Sequence, residues 1–192
     1  MKEDIKEYFN TSKGLLDKVI ATGADGKVYQ FDEAIDISIR TIVECAAFGG
    51  KLLFIGNGAS AAISSHIAVD FWKNAGIQAY AFNDSSLLTC ISNDYGYKHV
   101  FEKPIEMFTE EKDILIAISS SGKSENILYG VSAAKGKGVK VLTLSGFDKD
   151  NPLRRLGDIN FYVPSSSYGH VEVLHTSICH CLVDMIIEEK NG

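Results

Sequence analysis

The chain of 192 residues has no dense block of lysine or arginine, so it lacks the electrostatic footprint typical of nucleic-acid-binding domains. Its net charge of −6 agrees, although a mildly acidic protein can still hold an anion where backbone amides and hydroxyls converge. No run reaches the roughly 18 apolar residues of a membrane span. The opening Met1-Lys2-Glu3-Asp4-Ile5 is charged and has no apolar signal core. A cytoplasmic protein with neither membrane nor nucleic-acid partners is therefore expected. The four cysteines, Cys45, Cys90, Cys179 and Cys181, match neither a CxxC redox motif nor a zinc knuckle, and they read as buried free thiols. Two nucleotide motifs are also missing. A Walker A loop would need glycine where Ala117 stands, and a GxGxxG fingerprint fails at Ala61.

What is present is ordinary globular composition, 45% hydrophobic and 23% charged, enough for one domain with a substantial core. Within it stand two turns suited to phosphate. One is Phe54-Ile55-Gly56-Asn57-Gly58-Ala59-Ser60 and the other Ala117-Ile118-Ser119-Ser120-Ser121-Gly122-Lys123-Ser124. Each follows a short apolar run and precedes a helical stretch, the arrangement in which N–H groups at a helix start collect an anion. The hydroxyls of Ser119, Ser120, Ser121 and Ser124 would add donors. Serine and glycine also make plain caps and turns, so either segment alone carries both readings.

Apolar spacing predicts helices over residues 4–20 and 32–47, separated by a loop at Thr22-Gly23-Ala24-Asp25-Gly26-Lys27. Strands are expected at 51–55, 78–82, 113–118, 139–144 and 158–163. Helices are expected at 60–72, around 99–107, at 124–134 and at 169–189, with a helix start at Asp84 and a polar turn at Ser92–Tyr97. This alternation predicts an α/β fold, a three-layer sandwich whose mostly parallel sheet carries helices on both faces, preceded by two helices. The expected single domain divides into a helical extension, residues 1–48, and an α/β core, residues 49–192.

Several polar residues are candidates for chemistry. His66 and Asp70 are four apart on one helix and share a face. Glu172 and His180 are eight apart on the last helix, which is compatible with a common face. Two carboxylates and two imidazoles would suit Zn²⁺ or a similar ion. The same spacing also suits a satisfied histidine and solvated carboxylates. Asn93-Asp94 reads as an Asx turn or as a sugar-binding pair. Trp72, Tyr95 and Tyr97 read as aromatics completing a core or an interface.

Taken together, the segments Gly56–Ser60, Asn93-Asp94-Tyr95-Gly96, Ile118–Ser124 and Leu142-Thr143-Leu144-Ser145-Gly146 make the chain resemble a sugar isomerase (SIS) domain, most similar to the phosphoheptose isomerases. The resemblance covers nearly the whole chain. It implies aldose–ketose isomerisation of sedoheptulose 7-phosphate to D-glycero-D-manno-heptose 7-phosphate. Other outcomes within the fold are another phosphosugar as substrate, or a non-catalytic, regulatory phosphosugar-binding protein. It further implies that Ser60, Ser119, Ser121 and Ser124 hold the phosphate, with Ser120 supporting the loop. Asn57 and Asp94 would line the sugar, with Gly58 and Asn93 beside them in the same motifs and Glu172 also among the substrate-binding residues. His180 and Asp70 would be catalytic, and His66, Asp70, Glu172 and His180 would hold zinc. Homotetramers with active sites shared between subunits are also implied. Asp70 stands where the family usually has glutamate, Glu172 where it has glutamine, and Ile63 where aspartate is common. The segment between Asp70 and Asn83 is a few residues short. These departures bear on the substrate more than on the fold.

Overall fold

The computed structural model describes residues 2–191. Its seven strands form one sheet in the order β2-β1-β7-β6-β5-β3-β4. They are β1 (Ile20–Gly23), β2 (Val28–Tyr29), β3 (Leu52–Gly56), β4 (Ala79–Ala81), β5 (Ile114–Ser119), β6 (Lys140–Ser145) and β7 (Ile159–Tyr162). The five strands from β7 to β4 are parallel, whereas β1 runs antiparallel to both β7 and β2. The helices are α1 (Lys2–Leu16), α2 (Phe31–Ala47), α3 (Ala59–Lys73), α4 (Ser85–Tyr95), α5 (Glu102–Phe108), α6 (Glu125–Gly136) and α7 (Tyr168–Asn191).

Alternation along the central strands sorts the core into two layers. Leu52 and Phe54, Ile114, Ile116 and Ile118, and Leu142 and Leu144 pack on one face with α2, α3 and α7. Leu53 and Ile55, Leu115 and Ala117, and Val141 pack on the other with α5 and α6. Every residue of β3 and β5 is buried, so these strands read as continuous apolar runs, as in a sheet covered on both sides. Full burial of a side chain such as Phe71 or Ile67 contributes about 1.5–3 kcal/mol.

Asp113 fastens the start of the central strands. Its carboxylate is fully buried, accepts from the Lys51 and Glu110 backbone amides at 2.9 and 2.8 Å, and meets the Lys51 ammonium at 2.7 Å.

Two local expectations are corrected. The loop at 22–27 is the turn of a hairpin, so the first helix ends at Leu16 and residues 20–29 extend the sheet. Asn93 and Asp94 lie in the last turn of α4 rather than in a polar turn; the chain leaves the helix at Gly96, whose φ of +90° suits glycine. Among the described residues, α7 is the one helix long and apolar enough, by length and composition, to cross a membrane. Here Val171, Leu174, Ile178, Leu182, Val183 and Ile186 are buried in the core beside α2 and α3.

Candidate active site

The carboxyl ends of β3 and β5 turn into α3 and α6, and the two helix starts converge. At the first turn Gly56 is obligatory, because a Cβ there would collide with the Ser60 backbone, and Gly58 adopts φ +56°. At the second turn Gly122 has φ +62°, and a Cβ would strike the Asn151 carboxamide. Asn151 is fully buried. It donates to Ser145 Oγ, Gly146 O and Asp148 O and accepts from Arg154 N, which makes the β6–β7 connection a rigid backing for the serine loop. Backbone bonds from Gly146 N to Ser120 O and from Leu153 N to Gly122 O complete the brace.

The result is a cleft of ≈ 130 Å³ lined by Asn57, Ser60, Ser119, Ser120, Ser121, Ser124, Tyr168 and Glu172. Inside the loop, the Gly122 amide donates to Ser119 Oγ, and Ser119 and Ser124 bring their hydroxyls to 3.5 Å. Ser124 caps α6 without a side-chain bond to the helix. The starts of two helices and five serine hydroxyls converge on a cleft that suits an anion, although its lining holds no cation and one carboxylate, Glu172. The nearby ammonium of Lys123 lies 2.9 Å from Asp148, and that contact lowers the Asp148 pKa.

A second cluster lies further along the same helices. His66 Nε2 is 3.3 Å from Asp70 Oδ2, His180 Nδ1 is 3.8 Å from the same oxygen, and the two imidazole rings stand 5.5 Å apart. Asn74 Nδ2 donates to Asp70 Oδ1 at 3.1 Å, which leaves Oδ2 turned to the imidazoles. The ligand atoms of His66, Asp70 and His180 all lie within 4.8 Å of one another. A tetrahedral ion with bonds of about 2.0–2.1 Å needs ligand separations of about 3.3 Å, so small rotations would close this set around one ion. Imidazole and carboxylate are also the donors a borderline divalent cation takes. Glu172 does not join that group and lines the serine cleft instead. Eight residues of helix separate Cα atoms by about 12 Å and turn the side chains about 80° apart, enough to part Glu172 from His180.

Because Ser60 and Glu172 meet at one end and Asp70 and His180 at the other, α3 and α7 run side by side in the same direction. Asn93 and Asp94 are exposed, bond to each other, and are not in the cleft lining of this chain. Gly58 serves as the α3 cap. Near the cleft, Asn126 escaped sequence reasoning, and Tyr97 read only as an aromatic of a core or an interface. The amides of Asn126 and Asn57 exchange bonds of 2.9 and 2.8 Å, and the Tyr97 hydroxyl donates to Asn57 Oδ1 at 3.0 Å. His175, between Glu172 and His180, is fully buried; it meets Ser145 O through Nε2 at 3.1 Å, and burial pushes its pKa down to about 4.

Residues 7–146 match the family model of the SIS domain. A phosphoheptose isomerase of Helicobacter pylori is 34% identical over 188 residues, 95% of this chain and 93% of that protein. The chain belongs to the phosphoheptose isomerase family of SIS-domain proteins. Another phosphoheptose isomerase, from Solidesulfovibrio magneticus, is 36% identical over 160 residues, 80% of this chain and 78% of the relative. The structure of a phosphoheptose isomerase from Francisella tularensis superimposes with a TM-score of 0.85 at 30% identity, covering 98% of both chains. In this phosphoheptose isomerase family member, the shorter Asp70 still reaches both imidazoles.

Proposed function

We propose that the protein interconverts sedoheptulose 7-phosphate and D-glycero-D-manno-heptose 7-phosphate. The observation that carries this reading is the Asp70–His180 contact of 3.8 Å on α3 and α7, which also contribute Ser60, Tyr168 and Glu172 to the serine cleft. Asp70 lies ten residues beyond Ser60 and His180 eight beyond Glu172, about 15 and 12 Å of helix. Helical side chains lean toward the amino terminus, and the longer Asp70 side chain reaches further back than that of Ser60, which shortens the first span. An extended seven-carbon phosphate measures about 10 Å at roughly 1.5 Å per bond. On this reading its phosphate sits in the cleft and C1 and C2 extend toward the carboxylate.

There Asp70 removes a proton from C1 of the ketose, and the C1–C2 enediol forms. His180 passes a proton between the two oxygens, and Asp70 returns the carbon-bound proton to C2, leaving the aldehyde at C1. The net proton count is unchanged. A zinc ion held by His66, Asp70 and His180 would supply polarisation of sugar oxygens when bound. We further propose a cytoplasmic homotetramer whose sites lie at subunit interfaces. Support for assembly comes from exposed apolar side chains on α1 and beside the cleft, such as Phe9 at 66% and Tyr168 at 61% exposure.

Incubation with sedoheptulose 7-phosphate in deuterated water, followed by NMR, tests the reaction: aldose phosphate forms and deuterium enters at C1 and C2. Absence of both turnover and exchange overturns it. Light scattering reads the oligomer, and elemental analysis the zinc.

A further inference from the structure

The Asn57 carboxamide is held in one orientation by a chain of donors that starts at the backbone. Ile127 N donates to Asn126 Oδ1 at 3.0 Å, sharing its hydrogen with Ser124 O at 3.0 Å, and an N–H can face only an acceptor. That contact settles which end of the Asn126 amide is oxygen. Asn126 is buried at 3% exposure, and its nitrogen then faces Asn57 at 2.8 Å, so the atom it meets must be Asn57 Oδ1. In return Asn57 Nδ2 donates to Asn126 Oδ1 at 2.9 Å. Tyr97, brought in by the corner after Gly96, donates its hydroxyl to Asn57 Oδ1 at 3.0 Å.

The hydrogen-bonding capacity of Asn57 can now be counted. Its oxygen has two lone pairs and receives two donors, and its nitrogen has spent one of two hydrogens. What remains for the cleft is a single N–H. A rotated amide would instead present an oxygen to the oxygens of a phosphosugar.

We infer that Asn126 and Tyr97 are positioning residues that act through Asn57, holding it as an obligate donor to an oxygen of the bound sugar phosphate. The inference rests on the phosphosugar reading above and narrows it: the atom facing Asn57 is a hydroxyl, carbonyl or ester oxygen, and an ammonium at that place is excluded. The three residues come from the β3–α3 turn, the first turn of α6 and the α4–α5 corner, so one network ties the cleft residue Asn57 to two neighbouring segments.

The test is a double-mutant cycle on the dissociation constant of sedoheptulose 7-phosphate, measured by calorimetry in the whole protein. Asn57→Ala is expected to weaken binding about 10-fold, Asn126→Ala about 5–10-fold and Tyr97→Phe about 3-fold. In the Asn57→Ala background the second substitution adds no further loss, because both act through the missing amide. Additive losses overturn the proposal. Tyr97 is 55% exposed, so Tyr97→Phe keeps the test sound even if Asn126→Ala fails to fold. An arm independent of substrate follows the Asn57 side-chain amide resonance in ¹⁵N-labelled protein. It shifts and exchanges faster with solvent in Tyr97→Phe; an unchanged resonance overturns the proposal. Wild-type protein that neither binds nor converts the seven-carbon ketose, while that resonance responds as stated, overturns the functional reading and leaves the positioning network standing.

Discussion

The serine cleft and the His66–Asp70–His180 cluster lie at successive levels along α3 and α7 and are built in opposite ways. The cleft is made by tight turns at strand ends, and its donors are backed by Asn151, Asn126 and the Gly146–Ser120 backbone bond. Ser60, Ser119 and Ser120 are at most 6% exposed. The cluster stands on helix surfaces, with the His66 side chain 62% and the His180 side chain 38% exposed. A phosphate needs fixed donors in a preformed cradle, whereas a proton-transfer pair needs room for the substrate's reacting carbons. On the proposed function, rigidity at one end and access at the other divide binding from chemistry.

The sharpest way to break that division is at the open end. His180→Ala and Asp70→Ala should each lower kcat by about 10²–10⁴ while leaving the substrate dissociation constant within a few-fold. Deuterium exchange at C1 and C2 reads the chemistry and calorimetry the binding; a collapse of affinity in His180→Ala would show that the ends are not separate. Asp70→Glu sharpens the same point, since retained turnover would show that the site accepts a longer carboxylate.

Next in size is an effect beneath the cleft. The His175 pKa falls from 6.5 to about 4 through burial, so the folded protein holds it neutral. Between these values the unfolded chain binds the extra proton. The stabilisation is therefore complete above pH 6.5 and declines as pH falls toward 4, by up to about 3 kcal/mol. Denaturant titrations of wild type and His175→Gln between pH 4 and 7 measure it; equal slopes for the two proteins would refute it.

At the closed end, Ser121→Ala and Ser124→Ala should each raise KM by loss of a charge-assisted hydrogen bond, about 1.5–3 kcal/mol, with kcat nearly preserved. A fall in kcat without a change in KM would place the reacting carbons, not the phosphate, in the cleft. The smallest effect on phosphosugar affinity belongs to His66→Ala, which should abolish stoichiometric zinc in elemental analysis while leaving affinity within about two-fold, because His66 is far along α3 from the serines.

How legible each region was follows from sequence distance. Gly56–Ser60 and Ser119–Ser124 are contiguous, so turn chemistry and flanking apolar runs revealed them without tertiary information. His66 with Asp70 was legible as one helical turn. His180 joined them only through the parallel packing of α3 and α7, and Glu172 parted from it through helical twist. Asn126 was missed, and Tyr97 read only as an aromatic of a core or an interface, because their partner Asn57 is 69 and 40 residues away. The β1–β2 hairpin read as a loop because its second strand has two residues and its turn, Ala24-Asp25-Gly26, dominates the local signal. Asn93-Asp94 misled in a similar way: both residues favour turns, yet they sit in the last turn of a helix whose N-cap, Asp84, accepts from Leu87 N.

The sheet borders of this fold also limit how copies of the chain can join. One border strand has two residues and the other three, and β1 shields the parallel ladder by running against it. A neighbouring chain attempting to continue the ladder would find only a very short strand at either margin, a poor template for a growing fibre. Resistance to runaway polymerisation is thus built into the outline of the molecule.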